Sequence, residues 1–449
     1  MNDTGHRPAA ATHVHSAQGL HTVVVPDPGA PVAEIRLLIP YARTGRFPVP
    51  VQELLPACLA TGTTRRNRQG IVEHAADIGA ELSTVVTAES LLLSVSVLAE
   101  RLPEAVELLA EVVLSPAYRM GELDLVRSRA QARAAADGPR TRLHRALLHH
   151  RFGPGPLTAA PPSPGSLQAV TTDDLHALHR DAIVPHGSVL LVMADTGPDT
   201  DRLHTLLADR LTGWTGAPSG LVLPPLNHRT PPAHSLNLTD ATPDPKQALV
   251  MALGPAIPSR SPSHPALHLA QLVLGGYGSS RLMERLRTRH GLAYGVSTTI
   301  RDTRAGAWLE TECAGAPGTA DHITRVIVDT LHELSEAGPT AAETDRARQY
   351  ALGFTRFGLA TRAEAASAYA GFVAQGLAPD WLTTYAARLA DTHRSDITEA
   401  AARHLTPTKT TFGTLDTPRT ITPATTHPTE LPPHTQQPHP HPHPQPDHI

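Results

Sequence analysis

Histidine is the residue whose number in this chain could signal chemistry, standing at 27 of 449 positions. Imidazole titrates near neutrality and is the commonest metal ligand, so the first question is whether any of these histidines stand at ligand spacing. Glu73 and His74 are adjacent, and His144, His149 and His150 form a second group. Neither has the HExxH or HxxEH pattern that sets two imidazoles and a glutamate on one helical face. No carboxylate-bearing helix pairs with them, and both groups read as surface or packing residues. His176, His179 and the histidines within Ser263–His268 fall on predicted helices with polar faces and read as surface residues. Residues 418–449 hold ten prolines and six histidines and end HPHPHPQPDHI. That composition predicts a disordered, solvated tail in which His439, His441 and His443 alternate with proline. Two cysteines, Cys58 and Cys313, are too few for a thiolate zinc site. With no base beside either, each reads as a small buried hydrophobe.

The elements that would have to position any site come in two similar runs. With 40% hydrophobic and 18% charged residues the chain has the composition of a soluble globular protein. No apolar stretch approaches the roughly 18–20 residues of a membrane span. A net charge of −4, with 36 of the 38 cations arginine and only Lys246 and Lys409 lysine, excludes the basic footprint of a nucleic-acid binder. The start, MNDTGHRPAAATHVHSAQGLH, has neither a basic n-region nor an apolar h-region, so the expected location is cytoplasmic. We expect residues 1–19 to be flexible, 20–212 to form one domain, 213–234 a Pro/Gly-rich linker, 235–417 a second domain, and 418–449 the tail.

Within each predicted domain the pattern repeats. Two short strands (Thr22–Val25 and Val32–Pro40; Ser235–Leu238 and Ala248–Leu253) lead into a helix (Val51–Ala60; His264–Leu274) and a glycine bend (Thr61-Gly62-Thr63; Gly275-Gly276-Tyr277-Gly278). A second helix, β-rich sequence, two long helices, and a closing helix and strand follow in both. This order predicts two homologous α+β domains with antiparallel sheets.

The stretch LGGYGSSRLMERLRTRHGLAYGV, with the later GPTAAETDRAR and GLAPDWLTTYAARL segments, closely resembles the C-terminal domain of M16 metallopeptidases, the family of insulinase, pitrilysin and mitochondrial processing peptidase. The smaller bacterial type is the nearest likeness, and it covers about Leu20 to Leu415. It implies two M16-type domains forming a clamshell half-chamber around an extended peptide. Active members carry an inverted zinc motif, HxxEH, on the helix before the Gly-Thr bend, and a later glutamate completes the ligands. Counting back from Gly62-Thr63 places Glu53, Pro56 and Ala57 where His, Glu and His would stand. The downstream ligand would fall near Arg133 or Ala134, and Glu122 is about three helical turns too early. The resemblance therefore implies no metal, no cofactor and no peptidase centre in this chain.

It also implies that Arg287 and Tyr294 bind the substrate carbonyl and the oxyanion, with Gly275, Gly276, Gly278 and Gly291 as turn glycines. The expected function is that of a noncatalytic subunit in a heterodimer whose partner, an M16 chain with intact HxxEH, holds zinc. A peptide would be the substrate, a natural-product leader being one candidate, with no nucleic-acid or membrane partner. The alternative is a scaffold of the same fold with no role in cleavage. An active enzyme with a relocated metal site is set aside, because three converging ligands are not found.

Overall fold

Two runs, VLLVMA and ALVMALGP, are apolar without polar alternation, the pattern of strands covered on both faces. In the computed structural model they are the central strands β6 and β8. The structure describes residues 11–417 apart from 17, 198–199, 228–235, 239–245 and 358. The predicted Pro/His tail, and the end of the predicted linker, lie outside the described residues.

The first sheet contains β1 (Thr12–His15), β2 (His21–Pro26), β3 (Val32–Pro40), β4 (Glu81–Val86), β5 (Ser90–Leu98) and β6 (Val189–Ala194). The second contains β7 (Leu236–Asn237), β8 (Ala248–Pro255), β9 (Ala293–Thr303), β10 (Gly306–Gly315) and β11 (Thr411–Leu415). Their orders are β1-β2-β6-β3-β5-β4 and β7-β11-β8-β10-β9. With β1 set aside the two orders are the same, strand for strand. Even the one parallel pair of each sheet coincides, β2 with β6 and β7 with β11. That pair corrects the expectation of antiparallel sheets, since each is mixed. A second correction concerns residues 1–19: Thr12–His15 is not flexible chain but an edge strand, paired antiparallel with β2 from Thr12↔Val24 to His15↔His21.

Between the strands of the first half run α1 (Val49–Leu59), α2 (Arg68–Asp77), α3 (Leu102–Leu114), α4 (Met120–Ala135), α5 (Pro139–Phe152), α6 (Pro164–Gln168), α7 (Thr172–Ala182) and α8 (Thr200–Arg210). The second half has α9 (His264–Gln271), α10 (Ala320–Ala337), α11 (Ala341–Phe357), α12 (Arg362–Ala374), α13 (Trp381–Asp391) and α14 (Arg394–His404), with π-helical stretches at Leu272–Gly276 and Met283–Arg289. Each half packs its own core. Leu190 and Val192 of β6 share one core with Leu54, Leu108 and Leu178, whereas Val250 of β8 shares the other with Leu267, Ile327 and Leu389.

The opposite face of each sheet is covered by a helix from the other half. α12 lies on β3 and β6, its Ala365, Ala366, Tyr369 and Val373 against Val23, Val25, Leu191 and Met193. α5 lies on β8 and β11, its Leu143, Leu147 and Phe152 against Leu249, Met251, Leu253 and Trp308. Ion pairs rim both contacts: Arg362 with Asp27 at 2.8 Å, and Arg140 with Glu312. This exchange buries the second face of β6 and β8. The predicted linker is also partly packed, for Leu221 is buried in the first core and its carbonyl accepts from the Ala42 N–H.

Candidate functional site

A cavity of about 790 Å³ lies where the two halves meet. Glu53, Pro56 and Ala57 of α1 and Arg133 near the end of α4 line it, facing Arg301 on β9 and Trp308 on β10. The local fold explains this grouping. Positions 53, 56 and 57 stand one turn apart on one face of a helix, and α4 packs against α1. Pro56 sits inside α1 and has no N–H, which frees the Gln52 carbonyl four residues back. The Tyr41 hydroxyl donates to that carbonyl at 3.2 Å, so the helix continues across the proline.

The donor set does not fit zinc. Glu53 is the one ligand-capable residue among the three, and its carboxylate is already held between two guanidiniums. Arg43 bonds one oxygen closely, and Arg133 lies 3.6 Å from the other. A catalytic zinc needs three protein ligands and an open position, and among the described residues no three His, Cys, Asp or Glu side chains gather to hold a metal. Glu122 is paired with Arg68 at 2.6 Å.

Across the cavity, Glu310 anchors a second charged group. His144 Nε2 and Arg301 each contact its carboxylate at 2.9 Å, and Trp308 Nε1 donates at 3.3 Å. Burial works to raise this carboxyl, but the hydrogen bonds from His144 and Arg301 outweigh it and hold it down at about 2. His149 and His150 line a different cavity, with Leu236 and Leu238, so the structure does not bring the three histidines of α5 to one point.

Arg287 and Tyr294 stand apart from this cavity. Arg287 is exposed on the π-helical stretch, and Tyr294 is 72% exposed at the start of β9. Gly291, with φ of +59°, turns the chain between them, a conformation that favours glycine. Tyr294 occupies a bulge: Ala293 faces Gly315 and Gly295 faces Ala314, leaving Tyr294 as the extra residue. Such a bulge re-aims a side chain away from the ladder. Neither residue has a hydrogen-bond or ion-pair partner among the described residues. Arg301 is seven positions further along β9, so Tyr294 is roughly 23 Å along the strand from that wall of the cavity at about 3.3 Å per residue. The structure does not bring the Arg/Tyr pair and the degenerate motif together.

Of the glycines expected to let this segment approach the sheet, Gly275 and Gly276 are closely packed. A Cβ on Gly275 would meet Thr298 Oγ1 at 2.3 Å, and one on Gly276 would meet Gln271 Nε2 at 2.5 Å. Gly278 stands in the turn but not in close contact, because nothing lies within 4 Å of a Cβ built there.

Three histidines expected at the surface are packed inside. Tyr118 and the Val113 carbonyl hold His179 at 2.7 and 3.0 Å. Tyr385 takes the Nδ1 atoms of both His264 and His268, at 2.7 and 3.0 Å. Burial first of all depresses these imidazoles, to about 4 for His179 and His268 and about 3 for His264. Cys58 and Cys313 are buried, and burial raises both thiols to about 12, which leaves them protonated and inert. No sequence pattern distinguished α5 and α12, whose exchange covers the second faces of the two sheets; the signal available was the two-sided apolar character of β6 and β8.

Residues 54–157 match the family profile described as insulinase (peptidase family M16), and residues 169–350 match that of the peptidase M16 inactive domain. An uncharacterized zinc protease of Mycobacterium leprae is 28% identical over 296 residues, 64% of this chain and 64% of that protein. The Mycobacterium bovis counterpart is 28% identical over 291 residues. The matched stretch thus spans under two thirds of those relatives. Among solved structures, a peptidase M16 inactive domain from Pseudomonas fluorescens superimposes with a TM-score of 0.82 at 19% identity, covering 92% of this chain and 98% of that one. A protease from Helicobacter pylori gives 0.79 at 17%, covering 91% and 99%. The periplasmic protease PqqL from Escherichia coli gives 0.75 at 16%, covering 92% of this chain and 46% of that one.

Proposed function

Because the chain belongs to the M16 peptidase family, we propose that it is the noncatalytic, peptide-binding subunit of a zinc peptidase whose metal site stands on a partner chain. The observation that carries this reading is the separation inside one chain. At Glu53 arginines hold the one motif carboxylate and Pro56 stands where the base would be, whereas Arg287 and Tyr294 are displayed outward without internal partners, Tyr294 from a bulge. A guanidinium and a phenol are donors suited to a carbonyl oxygen that gains negative charge. Facing outward, they serve a site completed by another molecule.

The peptide backbone has a place to lie. β4 is an edge strand, and its Thr84 and Val86 line the cavity. Its unpaired backbone groups would extend the sheet by one peptide strand. A peptide such as a natural-product leader fits this mode, which reads backbone rather than a particular side chain.

The test is reconstitution. The chain is purified alone and with an M16 chain carrying HxxEH, then assayed for zinc and for cleavage of unfolded peptides. We expect no stoichiometric zinc and no cleavage alone, and cleavage by the pair. Zinc-dependent cleavage by the isolated chain overturns the proposal. Cleavage by the partner unaffected by this chain favours a scaffold of the M16 fold.

A further inference from the structure

The cavity without a metal-binding set among the described residues carries cations, and their arrangement is uneven. Arg43, Arg133, Arg145 and Arg301 all line it. Arg145 is engaged by Asp137 at 2.6 Å, and Arg301 by Glu310 at 2.9 Å. Asp302 turns away, one oxygen accepting from the Ser259 N–H at 2.7 Å and the other shut off from solvent. That leaves Glu53 to serve two arginines, and it serves them unequally: Arg43 is bonded closely, while Arg133 stands 3.6 Å off. This exceeds hydrogen-bond length, so the planar fork of Arg133 keeps its N–H donors. Its side chain is 63% exposed.

From this geometry we infer that the cavity is a carboxylate-binding subsite, in which Arg133 takes an acidic group of the bound peptide bidentately while Arg43 restrains the competing Glu53. Guanidinium and carboxylate match in a fork-to-fork geometry. Tyr41 and Trp308 supply low-dielectric walls that strengthen the contact. The volume falls within the range, roughly 300–1,000 Å³, of pockets that enclose ligands, enough for an acidic residue with its neighbours. Because Thr84 and Val86 of β4 border the same space, a peptide laid along that edge presents side chains to Arg133. The inference rests on the chain being peptide-binding, and it adds a preference for acidic residues or for a C-terminal carboxylate.

The test titrates the full chain calorimetrically with randomised octapeptide pools. Two are N-acetylated and C-amidated with a fixed central Glu or Gln; a third is the Gln pool with a free C-terminus. We expect the Glu pool or the free-acid pool to bind about tenfold tighter than the neutral one, as a charge-assisted pair would provide, and which of the two gains identifies the source of the carboxylate. Added salt should erode the advantage. Arg133→Ala should abolish it, Arg133→Lys should keep part of it, and Glu53→Gln should enlarge it several-fold by removing the competitor. The opposite signs at positions 133 and 53 are what a merely structural ion pair would not give. Equal binding of all pools, or weaker acid preference in Glu53→Gln, overturns the subsite while leaving the peptide-binding reading intact. Failure of every pool to bind overturns both.

Discussion

The two halves of the molecule share one strand order and differ in what they display. In the first half, the helix after β3, α1, carries Glu53, Pro56 and Ala57 into a cavity where arginines hold the motif's one carboxylate. In the second half, the helix at the corresponding place in the order, α9, carries His264 and His268 one turn apart. Both bond one tyrosine hydroxyl, His264 buried and His268 half-buried. Imidazoles at i and i+4 are what a metal-binding helix needs, yet here they are neutral packing groups, and the exposed donors are Arg287 and Tyr294 further along. One scaffold thus holds a pocket whose one motif carboxylate is held by arginines at one site and an outward-facing pair of donors at the other. Shared topology fixes where a side chain can stand; the neighbours decide whether it is available.

The comparison breaks most readily at Tyr294. In the reconstituted pair, Tyr294→Phe should lower kcat by about 10²–10³ without loss of assembly, the effect of deleting one oxyanion donor. Arg287→Ala should act in the same direction, and steady-state kinetics beside a size measurement of the complex check both. Unchanged cleavage would put the second half on the same footing as the first, as scaffold. Next in size is the exchange of helices. Leu147 of α5 is fully buried against the second sheet, and Leu147→Ala should cost about 3 kcal/mol. Because α5 belongs by sequence to the first half and by packing to the second, denaturant unfolding should remain one transition. Two resolved transitions would show that the halves are energetically separate.

Much of the repeat was legible before the structure. Strands β2, β3 and β8 and helix α1 stand within a few residues of their expected bounds, because alternation and helical period are local signals. The three positions Glu53, Pro56 and Ala57 could be named because the resemblance supplies a motif whose place is counted back from Gly62-Thr63, and the downstream one only as near Arg133 or Ala134. What could not be read was long-range. Arg43 comes from a loop, and its hold on Glu53 depends on how β3 ends beside α1. His179, His264 and His268 were assigned to the surface because neighbouring residues are polar, but Tyr118 and Tyr385 lie far away in sequence. The exchange of α5 and α12 is a property of two sheets together. Even so, the unbroken apolar runs of β6 and β8 required some cover on their second faces.

Those buried imidazoles give the comparison a pH axis. A histidine depressed in the folded state is neutral there and binds protons more readily when unfolded. Its stabilisation is complete above the ordinary value of 6.5 and is lost as pH falls toward about 4 for His268 and about 3 for His264. Between pH 6.5 and 4 each of the two should cost on the order of 2–3 kcal/mol. His179 in the first half contributes in the same direction with its value near 4. Urea melts across this range should flatten in His268→Gln, and hydrogen exchange should place the loosening at α9 and α13, which pack together through Tyr385. Equal slopes in wild type and variant would remove the histidine clasp as the cause.

The smallest effect separates two glycines of one bend. At Gly275 a Cβ would lie 2.3 Å from Thr298 Oγ1 and 3.1 Å from Thr298 Cβ on β9. Gly275→Ala must therefore push the bend off the strand that carries Tyr294, and it should destabilise by about 1–3 kcal/mol through overpacking. At Gly278 nothing lies within reach, and Gly278→Ala should stay within about 0.5 kcal/mol of wild type. Thermal melts of the two variants decide the stability claim, and cleavage by the reconstituted pair decides whether the bend positions Tyr294. If Gly275→Ala loses stability but keeps full cleavage, the bend supports the second core alone, and the bulge suffices to aim the tyrosine.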